Sequence, residues 1–153
     1  MKNSLIPKDI EHILQEIPDP EIPVINIVEL GILREVKMIE NQWQIIITPT
    51  YSGCPAMNMI AADIAKKMRE KDIQNFEIIT QLSPPWTTDW ITAQAMTKLN
   101  AYGIAPPSRS KNIQCPLCGS KTVSLVSEFG STPCKSLYKC DSCKEPFDYF
   151  KCH

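Results

Sequence analysis

Thr48-Pro49-Thr50-Tyr51-Ser52-Gly53-Cys54-Pro55 stands where an alternating apolar run ends and the strongest helical pattern of the chain begins. Before it, Trp43, Ile45 and Ile47 alternate with Gln42, Gln44 and Ile46, the period of a half-buried strand. After it, Met57, Ile60, Ala61, Ile64 and Met68 recur at helical spacing to about residue 70. Pro55 has the fixed φ and missing N–H that suit a first helical position, so Cys54 is expected as the N-cap. A thiol there faces unpaired backbone N–H groups and the positive end of the helix dipole. Such a setting favours the thiolate, with pKa values of roughly 3.5–7.5.

Upstream, Ile10, Ile13, Leu14 and Ile17 share one face of a helix expected over residues 7–17, with Pro7 near its start and Pro18 ending it. Asp19-Pro20-Glu21-Ile22-Pro23 then holds two carboxylates in a stretch that prolines keep from being helical. They read equally as a rigid turn with solvated acids or as functional groups. A strand is expected in the apolar residues between 24 and 39, and Glu40-Asn41 turns it into a second strand over 42–49, making a β-hairpin.

Downstream, Phe76, Ile78, Thr80 and Leu82 alternate as a third strand, which Ser83-Pro84-Pro85-Trp86 stops. Thr87 or Thr88 is expected to cap a last helix carrying Asp89 in its first turn, Trp90, Ile91, Met96 and Leu99 on its apolar side, and Gly103 at its end. Trp86 and Trp90 suit a core or a lid, and their place after a strand could also set them beside Cys54. The order helix, hairpin, helix, strand, helix predicts an α+β unit over residues 1–105, a small mixed sheet of three to four strands with helices packed on it. Ala105 to Ser110 loses the periodic pattern and reads as a connection to a second unit over 106–153.

The cysteines support that division. Of seven in 153 residues, only Cys54 precedes Cys115. Cys115-Pro-Leu-Cys118-Gly and Cys140-Asp-Ser-Cys143-Lys are two Cys-x-x-Cys knuckles at the spacing of a tetrahedral metal site. Two intervening residues let a tight turn point both sulfurs at one ion, and Gly119 eases the backbone through the first knuckle. Thr122 to Val126 and Ser136 to Tyr138 read as short strands of a zinc ribbon. A unit this small buries little surface, and a structural metal worth on the order of 10–16 kcal/mol supplies the missing stability. Zinc is the expected ion, although iron in a tetrathiolate site uses similar knuckles and disulfides use the same residue type. Cys134, Cys152 and His153 remain as spare side chains or as candidate additional ligands for a second metal or an incoming cluster.

Charge is balanced, −1 overall. Residues up to Ala105 carry 9 Lys/Arg against 13 Asp/Glu, and those from Pro106 carry 7 against 4. Neither part is basic enough to demand nucleic acid. No stretch has the apolar length of a signal peptide core or a membrane span, so a cytoplasmic protein is expected, and a reducing cytosol favours metal ligation over disulfides.

Four segments in order, Asp19-Pro-Glu-Ile-Pro23, Glu29-Leu-Gly-Ile32, Thr48 to Pro55 and Pro84-Pro-Trp86, resemble the iron–sulfur cluster assembly domain typified by SufT. Glu128-Phe-Gly-Ser-Thr-Pro-Cys-Lys135 and Lys144 to His153 resemble the PaaD (PaaJ) family, encoded with the multicomponent phenylacetyl-CoA epoxidase. The resemblance implies an accessory protein that helps mature the epoxidase system, serving the iron–sulfur cluster of its reductase component, with the other epoxidase components as partners. It carries the family's reactive cysteine onto Cys54, its acidic motif onto Asp19 and Glu21, and its zinc ligands onto Cys115, Cys118, Cys140 and Cys143. Trp86 joins the same candidate cluster-handling group through its place in the motif set.

An enzyme is disfavoured by the residues themselves. His12 and His153 are the only histidines, and there is no nucleotide-binding glycine loop and no Glu-x-x-His pair for a di-iron site. A zinc-ribbon interaction or nucleic-acid-binding module without a cluster role is the competing reading, resting on the basic tail and its aromatics.

Overall fold

The structure is a computed structural model, and it describes residues 4–50 and 56–151. The chain divides into two compact units, Met1–Trp86 and Thr87–His153.

In the first unit, α1 spans Pro7–Leu14. The Asp9 carboxylate accepts the Ile6 N–H at 2.7 Å, which satisfies one of the open donors at the helix start. Beyond Leu14 the turn tightens, with Glu16 N–H bonded to Ile13 O and Ile17 N–H to Leu14 O. The buried stripe Ile10, Leu14, Ile17 therefore runs on as expected, although the regular helix stops three residues early.

The strand expected between residues 24 and 39 is confined to β1, Leu33–Ile39. The residues before it fold otherwise because Asn26 competes for the backbone: its Oδ1 accepts from Val28 N (3.0 Å) and Glu29 N (2.8 Å), and the Glu29 carboxylate accepts from Asn26 N (3.3 Å). That reciprocal pair is the geometry of a capping box, and it winds the chain into turns up to Gly31, whose φ is 84°.

β1 pairs antiparallel with β2, Gln42–Ile47, through Glu40 and Asn41, both at positive φ (48° and 64°). Such a two-residue turn matches the twist of the flanking strands. α2, Ala56–Glu70, carries the chain to β3, Phe76–Thr80, which lies parallel to β2. The sheet order β1-β2-β3 makes β2 central, and Trp43, Ile45, Ile46 and Ile47 are all buried. On α2 the buried residues are Ile60, Ile64 and Met68. The helix ends with Asp72 at φ 59° and Ile73 N–H bonded back to Met68 O at 2.9 Å, a Schellman-type stop.

The second unit opens with a single 3-10 turn, Thr88–Trp90, capped by the Thr87 hydroxyl, and only then α3, Ala93–Ala101, capped by Thr92. The helix expected to include Trp90 and Ile91 thus starts after them, since the Thr92 side chain takes the Ala95 N–H. Gly103, at φ 89°, follows α3 as expected. Ala105 is not the start of an irregular connection: β4, Ile104–Ala105, pairs parallel with β7, Pro146–Phe150. β5, Val123–Ser127, and β6, Lys135–Cys140, complete a mixed four-stranded sheet in the order β4-β7-β6-β5, antiparallel from β7 to β5. Its core joins Ala105, Phe147 and Tyr149 to Cys115 and Cys140, with Ile113, Val123, Tyr138 and Cys143 packed against them.

Candidate metal centre and the loop cluster of the first unit

The sulfurs of Cys115, Cys118, Cys140 and Cys143 all lie within 4.8 Å of one another. Cys115 and Cys143 stand 3.8 Å apart, and Cys118 and Cys140 3.5 Å. A tetrahedral ion with metal–sulfur bonds of about 2.3 Å requires sulfurs about 3.8 Å apart, so this donor set fits a tetrahedral thiolate-bound ion such as zinc.

Two matching turns build the site. Cys115 N–H donates to Ser120 O and Gly119 N–H to Cys115 O; Cys140 N–H donates to Glu145 O and Lys144 N–H to Cys140 O. Gly119 (φ 79°) and Lys144 (φ 69°) occupy equivalent left-handed positions. The hydroxyls of Ser120 and Ser142 meet at 2.8 Å between the knuckles. Lys144 escaped the sequence reading because it is not glycine, although aligning the two knuckles would have found it.

Four thiols at contact distance cannot all ionise without a cation. The Cys143 N–H, 3.4 Å from the Cys140 sulfur, leads the groups that draw the Cys140 thiol down to about 6. For Cys143 the backbone at Glu145 favours the thiolate, yet burial and the adjacent sulfurs of Cys140, Cys115 and Cys118 push it up to about 12. Cys118 is also raised: the Ser120 backbone favours its thiolate, but the proton shared with Cys140 and desolvation outweigh that. A divalent ion held by Cys115, Cys118, Cys140 and Cys143 would favour their thiolates.

Cys134 is buried and stands apart from the four-cysteine group; its sulfur lies 3.0 Å from the Thr132 hydroxyl and its carbonyl accepts the Lys151 N–H. Cys152 and His153 lie outside the described residues, as does Cys54 with its expected capping position.

In the first unit, Asp19, Glu21 and Trp86 lie among the described residues. Asp19 is 5 % exposed, so it is not a solvated acid. Its Oδ1 accepts from Glu21 N (2.9 Å) and Ile22 N (2.8 Å), and its own N–H donates to Ile25 O. Glu21 is half-buried. The indole N–H of buried Trp86 donates to Leu30 O at 2.9 Å. Two residues on, Ile32 O accepts the N–H of Thr48, the first residue of the Cys54 stretch. Hydrogen bonds thus tie the Asp19 loop to Ile25, Trp86 to Leu30, and Ile32 to Thr48, within a segment of eight residues. The Thr48 hydroxyl is buried with no hydrogen-bond partner among the described residues, a feature the sequence reading missed.

This architecture is an iron–sulfur assembly-type α+β domain joined to a four-cysteine ribbon, and comparisons with known proteins agree. Residues 7–73 match a model described as iron-sulfur cluster assembly protein, and residues 102–151 match the PaaD zinc beta ribbon domain. A domain of unknown function DUF59 from Bacillus anthracis superposes with a TM-score of 0.55 at 27 % identity, covering 60 % of this chain and 89 % of that one. The conserved hypothetical protein TM0487 from Thermotoga maritima shares the fold, with a TM-score of 0.54 at 23 % identity over 65 % of this chain and 98 % of that one. The chain belongs to the family of the D component of the putative 1,2-phenylacetyl-CoA epoxidase of Escherichia coli (strain K12), to which it is 48 % identical over 92 % of its length and 89 % of the relative's. An Fe-S protein maturation auxiliary factor from Porphyromonas gingivalis is 31 % identical over 60 % of this chain and 89 % of that protein.

Proposed function

We propose that this chain is an accessory subunit of a multicomponent phenylacetyl-CoA epoxidase, acting in aerobic phenylacetate degradation to assist iron–sulfur cluster assembly on the reductase component. The observation that carries the reading is the union, in one chain, of an iron–sulfur assembly domain over residues 7–73 with a PaaD-type ribbon over residues 102–151; the chain also matches the Escherichia coli relative over 92 % of its length. The name of the Porphyromonas relative, a maturation factor aligned over 94 residues, supports the same role.

In this reading Cys54 is the thiol that handles iron or a cluster in transit, and Asp19, Glu21 and Trp86 are the residues assigned to the same task by their motifs. A cysteine whose stretch of sequence holds no histidine suits metal handling better than acyl transfer. Zinc in the Cys115, Cys118, Cys140 and Cys143 set is structural, and the ribbon docks the client. The protein works in the cytoplasm and performs no turnover of its own. No helix among the described residues is long and apolar enough to cross a membrane.

Replacing Cys54 with alanine is expected to lower the iron and acid-labile sulfide bound by the reductase component in cells while leaving this protein folded and zinc-loaded. Unchanged client loading would overturn the role. Turnover of phenylacetyl-CoA by the purified chain alone would replace it with an enzymatic one.

A further inference from the structure

We propose that the open edge of β5 and the basic groove beside it dock an extended acidic segment of a protein partner as an added strand. The proposal deepens the reading of the ribbon as the docking module and rests on that reading.

β5 is the last strand of its sheet, bonded to β6 on one side. Asp141 N–H donates to Thr122 O, which makes Thr122 and Asp141 a bonded pair across the two strands. By the alternation of antiparallel ladders, Val123 and Leu125 then turn their N–H and C=O groups outward. Soluble proteins usually blunt such an edge with charge or proline, and Val123–Ser127 carries neither. Leu125 is 51 % exposed and Val126 58 %. A register shift between Leu125 and Ser127 confines the straight pairing stretch to its first residues.

The side chains of Val123 and Leu125 line a cavity of about 930 Å³ whose charged residues are Arg109, Lys111, Lys121 and Lys151 against the single acid Glu128. Arg109 is paired with Asp89, and the Lys151 ammonium donates to Glu128 O at 2.8 Å. Lys111 and Lys121 have no ion-pair partner among the described residues. Two uncommitted ammonium groups thus stand beside an unpaired strand edge. An added strand satisfies both at once: its backbone completes the ladder, and its carboxylates meet Lys111 and Lys121. A second copy of this chain is a poorer occupant, because pairing β5 with β5 brings two basic grooves together. A nucleic acid would use the cations and leave the strand edge unmet.

The test is fluorescence anisotropy of the zinc-loaded full chain with a labelled peptide of alternating glutamate and valine. We expect saturable binding that weakens about tenfold or more for the Lys111→Glu, Lys121→Glu double variant, and as much when alternate amides on one edge of the peptide are N-methylated. The lysine-for-glutamate peptide should not bind. Zinc content and circular dichroism check that the variant is folded, and Lys111→Gln, Lys121→Gln replaces it if it is not. Absence of peptide binding, indifference to the lysine substitutions, or equal binding of the N-methylated peptide would overturn the proposal, as would tighter binding of a single-stranded oligonucleotide. Because the readout is binding alone, it stands or falls separately from any effect on client cluster content.

Discussion

Gly119 and Lys144 are equivalent residues of two like-built turns: each has a left-handed φ, 79° and 69°, and each donates its N–H to the carbonyl of the first cysteine of its knuckle. Only one of the two positions has the residue best suited to that backbone. A side chain in this region costs roughly 1–2 kcal/mol, part of which glycine returns as chain entropy in the unfolded state. Lys144→Gly should therefore stabilise the metal-loaded protein by about 0.5–1 kcal/mol. Gly119→Ala should cost about 1–2 kcal/mol from backbone strain alone, because a Cβ there meets nothing within 4 Å. Denaturant unfolding of the zinc-loaded variants measures both, and equal effects of the same sign would contradict the symmetry.

Metal loading should release protons. Near neutral pH the Cys140 thiol, held at about 6, is already ionised, whereas Cys118 and Cys143 retain theirs. Ligation requires thiolates, so binding displaces more than one proton per ion and affinity falls as pH is lowered. Calorimetry in buffers of different ionisation enthalpy reads the number directly. A chelator should remove the near-ultraviolet signal of Tyr138, which stacks on Phe147 at 6.0 Å and meets Tyr149 edge-on at 5.6 Å. Unchanged spectra after metal removal would show that the ribbon folds without its ion.

Asp19 separates charge from hydrogen bonding. Its Oδ1 caps two backbone N–H groups from a buried position, so Asp19→Ala should cost about 1–3 kcal/mol. Asp19→Asn keeps the acceptor for these two N–H groups and should cost less in Tm than the alanine. If the carboxylate also serves the cluster, the asparagine variant folds normally and still loads the client poorly.

Trp86→Phe removes the indole N–H from Leu30 O and leaves that carbonyl unmet, at a cost of about 1–3 kcal/mol. Chemical denaturation is the measurement, and no loss of stability would mean that the bond contributes nothing.

Thr48→Val exchanges a buried hydroxyl without a described partner for a methyl group of similar shape. Stability should be unchanged or slightly higher, by about 1 kcal/mol at most. Loss of client loading at full stability would give the hydroxyl a functional role.

Elements with strong local signals were legible before the structure. The hairpin at Glu40-Asn41, the helix after Pro55, the third strand and the two knuckles all declare themselves by periodicity, turn chemistry or cysteine spacing. The errors have a common cause, since side-chain capping redirected the backbone where apolar composition suggested otherwise. Asn26 and Glu29 turned an apolar run into a capped turn, and Thr92 moved the start of α3 past Trp90 and Ile91. β4 and β7 were invisible for a different reason: Ile104–Ala105 is too short for a period, and its partner lies more than forty residues away. At the candidate site, residue types were readable, but the burial of Asp19 and the tie from Trp86 to Leu30 depend on contacts that no local pattern encodes.

The most direct test of the central claim is anaerobic transfer of iron and sulfide to the purified, cluster-free reductase component, comparing wild type with Cys54→Ala. Iron and acid-labile sulfide would be counted on the reductase, and iron and zinc on this chain. Wild type is expected to accelerate cluster acquisition and Cys54→Ala is not, while both keep zinc near one per chain. Equal acceleration by the two proteins, or none by either, would contradict the claim.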